Sequence, residues 1–161
     1  MTKNKSLIAY YSRRGNNYVG GNIVSLPIGN TEFVAKKIQG LTGGDLFQIE
    51  TVNPYPVDYT ETTNVAADEK KKNVRPALTA KVEDMDSYDV IYLGYPNWWA
   101  TMPMAVFTFL EAYDFAGKTI IPFCTHEGSG MGVSERDIKK QCPQTKVLSG
   151  LAIVGGSDGK A

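Results

Sequence analysis

The feature that most limits the fold is an alternation that runs along the whole chain. Short apolar runs rich in β-branched and aromatic residues stand at 6–11, 46–50, 90–93, 118–124 and 146–154. Runs this short and this apolar suit strands buried on both faces. Between them lie stretches with helical spacing or helix-like composition. Phe33, Val34, Lys37, Ile38 and Leu41 follow a candidate cap at Asn30 or Thr31, and Thr42-Gly43-Gly44 ends that helix. Further helices are expected at 58–73, 105–113 and 133–141. Strand and helix in turn predict an α/β fold, a parallel sheet covered by helices on both faces. The run at 46–50 admits Gln48 and Glu50, as an edge strand does. The last run, at 146–148 and 151–154, is either a strand pair or one interrupted strand. The segment 18–28 holds Gly20, Gly21 and Pro27 without a helical period, and is expected to be an extended loop.

Composition narrows the function classes. No repeat or linker divides the 161 residues, so one domain over 1–161 is expected. Lys plus Arg and Asp plus Glu both number 17, for zero net charge. A nucleic-acid binder would need a basic surface. Two cysteines without metal-type spacing and one histidine make a zinc site improbable. No apolar run spans a bilayer, and the apolar run after the basic start is too short for a signal peptide. The expectation is a cytoplasmic protein with reduced thiols. Cys124 ends a buried strand and should be an inert core thiol; Cys142 sits at a helix end, a position open to solvent.

Three loops follow buried strands, and parallel strands bring them to one sheet edge. The first runs from Ser12 to a helix start at Gly29-Asn30-Thr31. Unpaired N–H groups and the helix dipole make such a start attractive to a phosphate. Ser12 and Thr31 add hydroxyls, and Arg13 or Arg14 adds charge; an ordinary capped turn is the alternative. The second loop carries Tyr95-Pro96-Asn97-Trp98-Trp99-Ala100-Thr101-Met102-Pro103. Two adjacent indoles do not easily enter one core, so at least one should be exposed or cover something that is not protein. A flat aromatic wall at the carboxyl end of a central strand is where open α/β sheets place flat ligands. Core plugs or a dimer contact are the alternative uses. The third loop, Thr125-His126-Glu127-Gly128-Ser129-Gly130, is glycine-rich, so its backbone can come close to a ligand. His126 and Glu127 are its one acid–base pair. The chain lacks the Gly-x-x-x-x-Gly-Lys-Ser/Thr and Gly-x-Gly-x-x-Gly signatures, which counts against a nucleotide triphosphatase and a dinucleotide fold.

Together these motifs resemble the flavodoxins, most closely a flavodoxin-like family of bacterial proteins with an extended first loop. The matching residues are Ala9-Tyr10-Tyr11-Ser12-Arg13, Gly29-Asn30-Thr31-Glu32, Gly94-Tyr95-Pro96-Asn97-Trp98-Trp99, Met102-Pro103 and Pro122-Phe123-Cys124-Thr125-His126-Glu127-Gly128-Ser129-Gly130. The resemblance implies a five-stranded parallel sheet in the order 2-1-3-4-5 and one bound FMN. Ser12, Arg13, Asn30 and Thr31 would hold its phosphate. Pro96, Asn97, Trp98, Trp99, Ala100 and Thr101 would flank the isoalloxazine, with one Trp stacked on it. Thr125, His126, Glu127, Gly128, Ser129 and Gly130 would close the other side. Two departures stand out. A long insertion separates Ser12 from Asn30, and Trp98-Trp99-Ala100 stands where many flavodoxins place a glycine beside the flavin N5. Neither tryptophan nor alanine accepts positive φ readily, so photoreduction is expected to show little blue neutral radical.

The resemblance implies electron transfer through FMN. A small NAD(P)H- or quinone-linked reductase, and a flavodoxin-like interaction module without redox work, are the other readings. Expected partners are a redox protein or a small electron donor or acceptor, with room for a homodimer but no nucleic acid or membrane. A response-regulator receiver would need aspartates after the first strand, where Tyr11 and Ser12 stand. A low-molecular-weight phosphatase would need a Cys-x5-Arg loop there, and none exists.

Overall fold

The computed structural model describes residues 5–12, 15–19, 22–26, 30–52, 59–98, 101–126 and 131–154. In chain order the elements are β1 (Ser6–Tyr10), β2 (Gly15–Val19), β3 (Asn22–Leu26), α1 (Asn30–Thr42), β4 (Asp45–Gln48), α2 (Tyr59–Lys72), β5 (Val90–Pro96), α3 (Met104–Ala112), β6 (Thr119–His126), α4 (Ser134–Gln141), β7 (Lys146–Val147) and β8 (Leu151–Val154). The main sheet is parallel at every pairing and runs β4-β1-β5-β6, with β7 and β8 both on the outer side of β6. Counting β7 and β8 as one interrupted strand, this is the order 2-1-3-4-5 in a three-layer α/β fold.

Side-chain alternation along the central strands assigns the layers. Leu7, Ala9, Ile91, Leu93, Ile120 and Cys124 share a core with Val106, Phe109 and Leu110 of α3 and Ile138 of α4. Ile8, Tyr10 and Phe123 point the other way, onto Val34 and Ala35 of α1. Leu7, Ile8 and Ala9 are at most 2% exposed, as a strand covered on both faces requires. α2 buries Thr62 and Ala66 and turns Lys70, Lys71 and Lys72 to solvent. Its Lys72–Asp68 pair at 3.1 Å is a surface contact of little energetic weight.

Four features differ from the sequence expectation, each for a physical reason. The segment expected as an extended loop over 18–28 contains β3 and the end of β2, an antiparallel hairpin in which Tyr18 opposes Ile23 and Val19 opposes Asn22. The sequence between the two strands is Gly20-Gly21, a two-residue hairpin signal that was masked by the polar residues around it. Secondly, β5 does not stop at Leu93 but runs to Pro96, and β6 runs to His126. Gly94 belongs to the strand because Phe123, its register partner on β6, folds its ring where a Cβ of residue 94 would stand. Thirdly, the cap of α1 comes from far away in the chain: the Glu32 N–H donates to Ser12 Oγ at 3.0 Å, while the Thr31 hydroxyl is engaged elsewhere. Fourthly, Cys142 is buried at 7% exposure, under the C-terminus of α4.

The interruption of the last strand has a covalent origin. Leu148 N donates to Ile120 O at 3.0 Å, and pairing resumes at Phe123 opposite Leu151. The residue between them that would have continued the ladder is Pro122, which has no N–H. Gly150 lies against this seam: a Cβ there would come 2.9 Å from Pro122 O and 2.5 Å from Met131 Cε. Its N–H bonds the Glu135 carboxylate at 2.8 Å.

Candidate functional site

The carboxyl ends of β1, β5 and β6 meet at one rim of the sheet. Tyr11 N donates to Gly94 O at 2.9 Å and extends the β1–β5 pairing by one residue. Pro96 lies opposite Thr125, and Asn97 N donates to Thr125 O at 2.8 Å. The segment after β5 is thereby fastened to the end of β6.

Three hydroxyls gather beside the start of α1. Thr31 and Thr125 are 2% and 4% exposed, and their hydroxyl oxygens lie 2.8 Å apart. Two hydroxyls carry two hydrogens and their mutual bond uses one, which leaves one to donate elsewhere. Ser12 Oγ accepts from the Glu32 amide, so its own hydrogen also points away from that bond. Hydroxyl donors at the positive end of a helix dipole are complementary to an anion. Glu32 stands in the same turn with its side chain 2% exposed, 3.3 Å from the Lys36 ammonium. A carboxylate in the first turn of a helix is favoured by the same dipole.

Beside the hydroxyls lies the Trp98 turn. Trp98 N donates to Thr101 O at 2.8 Å, and Thr101 N returns a bond to Trp98 O at 3.3 Å. The Trp98 indole is half-buried and packs on the core with part of its surface. Tyr11 meets it edge-on, with centroids 5.3 Å apart and planes at 79°. The side chain of Thr101, 1% exposed, donates to Asp137 of α4 at 2.5 Å. On β5, the Tyr95 hydroxyl donates to Ser134 Oγ at 2.9 Å, and Ser134 donates to Met131 O at 2.6 Å. Burial raises the Tyr95 phenol well above its usual range, partly offset by the Ser134 bond, so it acts as a fixed donor.

Of the residues singled out by sequence, Ser12, Thr31, Pro96, Asn97, Trp98, Thr101 and Thr125 come together at this rim. Asn30 opens α1 beside them. His126 pairs with Val154 at the end of β6 and, by strand alternation, faces away from Thr125. Arg13, Trp99, Ala100, Glu127, Gly128, Ser129 and Gly130 lie outside the described residues. Cys124 is 1% exposed and burial pushes its thiol up to about 12, which leaves no nucleophile there. Among the described residues no group of three or more His, Cys, Asp or Glu is placed to hold a metal. No helix among them is long and apolar enough to cross a membrane. Sequence reasoning missed Tyr11 and Asp137. Tyr11 was visible as the end of an apolar run and as part of the first motif, with no role of its own. Asp137 carried no signal, since acidic residues in the first turn of a helix are ordinary.

Comparison with known proteins agrees with the fold. The family profile described as flavodoxin matches residues 23–160. Among solved structures, a candidate flavoprotein from Bacteroides eggerthii is 32% identical over 93% of this chain and 88% of its own, with a TM-score of 0.77. A second candidate flavoprotein, from Bacteroides uniformis, is 29% identical over 99% and 96%, with a TM-score of 0.75. A flavoprotein from Lactobacillus acidophilus, solved in complex with FMN, is 20% identical over 98% and 97%, with a TM-score of 0.73. Among curated proteins none matches the chain.

Proposed function

The chain belongs to the flavodoxin family, and from that membership we propose that it binds FMN at the rim of β1, β5 and β6 and transfers electrons through it. The observation that carries this reading is the convergence of the Ser12, Thr31 and Thr125 hydroxyls at the start of α1 with the Trp98 indole on the next turn. The donor set fits a phosphate tail, and the half-buried indole beside it fits a planar ring. Bound FMN supplies reversible one- and two-electron chemistry. The protein's part is to bind, orient and shield. Ser12, Asn30, Thr31 and Thr125 hold the phosphate. Pro96, Asn97 and Trp98 form one wall of the slot, with buried Thr101 behind it. Tyr11 backs the indole edge-on and limits its rotation.

Electron transfer to a partner at the open rim is the preferred role, and a redox protein or a small electron donor or acceptor is the partner class. The test is titration of ligand-free protein with FMN, followed by a spectrum and an NAD(P)H oxidation assay. Saturable binding, with bands near ~370 and ~450 nm that leave the protein on heating, is the expected result. An electron carrier should oxidise NAD(P)H only slowly without a partner. Rapid turnover would move the assignment to a reductase, and no saturable FMN binding would end the flavin reading.

A further inference from the structure

We propose that Asp137 is the positioning residue of the Trp98 turn, reaching it from α4 through the Thr101 hydroxyl. The ligand in this proposal rests on the FMN reading; the geometry does not. At its start the turn is held by Asn97 N on Thr125 O at 2.8 Å, and across itself by the two bonds between Trp98 and Thr101. Its far end runs on into buried Met102 and α3, and the side chain that joins it to α4 is Thr101, 1% exposed, whose hydroxyl donates to Asp137 Oδ2. The acceptor is well chosen. A carboxylate accepts a hydroxyl more strongly than a neutral group, and Asp137 lies in the first turn of α4, where the helix dipole favours its charge.

α4 is itself firmly seated. Ile138 and Ser134 are both 0% exposed, and Ser134 takes the Tyr95 hydroxyl. Residues 134, 137 and 138 share one helical face. That face grips the end of β5 and the turn beyond it at once. Removal of the Asp137 carboxylate leaves α4 in place through Ile138 and Ser134 and the chain after the turn in place through Met102, but strands a buried hydroxyl and loosens the Thr101 side of the turn. The indole then loses a fixed orientation, and a flat ligand loses a wall that was pre-organised for it.

Two quantities are read: the FMN dissociation constant in protein that keeps both tryptophans, and acrylamide quenching of Trp98 in FMN-free protein carrying Trp99→Phe, because the chain has two tryptophans and Trp98 must report alone. Asp137→Ala and Thr101→Val should each weaken FMN binding about tenfold and raise the quenching constant about twofold, since each breaks the same positioning bond. The double variant should be no worse than either single one, because one bond is lost once. Asp137→Asn keeps an oxygen acceptor and should return both quantities close to the parent. Unchanged quenching and affinity in Asp137→Ala, additive losses, or no rescue by asparagine would each overturn the proposal. Should the parent bind no FMN, the functional reading fails, and the quenching series alone still decides the role of Asp137. If Asp137→Ala does not fold, Thr101→Val compared with Asp137→Asn gives the same decision.

Discussion

At the scale of single residues, the Thr31–Thr125 pair separates stability from binding. Thr31→Val alone strands the Thr125 hydroxyl in a site 4% exposed, and should cost about 1–3 kcal/mol in denaturant unfolding. Thr31→Val with Thr125→Val replaces both partners by apolar groups of the same shape. Its stability should return close to that of the parent. FMN affinity should fall most in the double variant, because the single one still keeps the Thr125 hydroxyl hydrogen to donate and the double one has none. A double variant as unstable as the single one would show that the pair is not an isolated bond. The residues of this rim were legible in the sequence where their chemistry is distinctive: serine and threonine at a helix start, and two tryptophans in a loop. Their mutual bonds were not. Nothing in the order of residues says that Ser12 rather than Asn30 receives the Glu32 amide, because that contact is made in space by a residue twenty positions earlier.

At the scale of elements, the pattern of alternating runs carried the topology, since each buried run became a strand of the main sheet and each periodic stretch a helix. Ends were harder. Glycine and proline were taken as loop signals at 94 and 96, whereas β5 holds both. Gly94 is needed by its neighbour: Phe123 occupies the space of the missing side chain. Gly94→Ala should therefore destabilise the fold by about 1–3 kcal/mol, as overpacking of a dense core does. Phe123→Leu, introduced with it, should recover part of that loss in a thermal melt. A Gly94→Ala protein as stable as the parent would mean that the ring can swing aside at no cost. The β2–β3 hairpin escaped notice for a different reason. Its strands lie outside the main sheet and pair with each other alone in the described ladder, so they lack the continuous apolar run that marks the others.

At the scale of the whole molecule, burial of the two thiols adds to an alkaline limit that the raised Tyr95 phenol shares. Burial pushes Cys124 up to about 12 and Cys142 up to about 11, from an ordinary value of 9.0. The unfolded chain therefore releases these protons first, and the folded state holds more of them above pH 9.0. Stability from this source is complete below that pH and is lost as the pH climbs towards 11 and 12. Thermal melts across this range should show the decline, and Cys124→Ala should make it shallower, with Cys142 and Tyr95 carrying the remainder. A parent whose melting temperature is constant from pH 8 to 11 would contradict the burial. The seam at Pro122 has its own outcome. Because β7 and β8 hang from β6 as two separate short ladders, neither can lend the other cooperativity. The border of the sheet should come undone in instalments, like a hem sewn with two threads, with deuterium entering Leu151–Val154 well before it reaches Ser6–Tyr10.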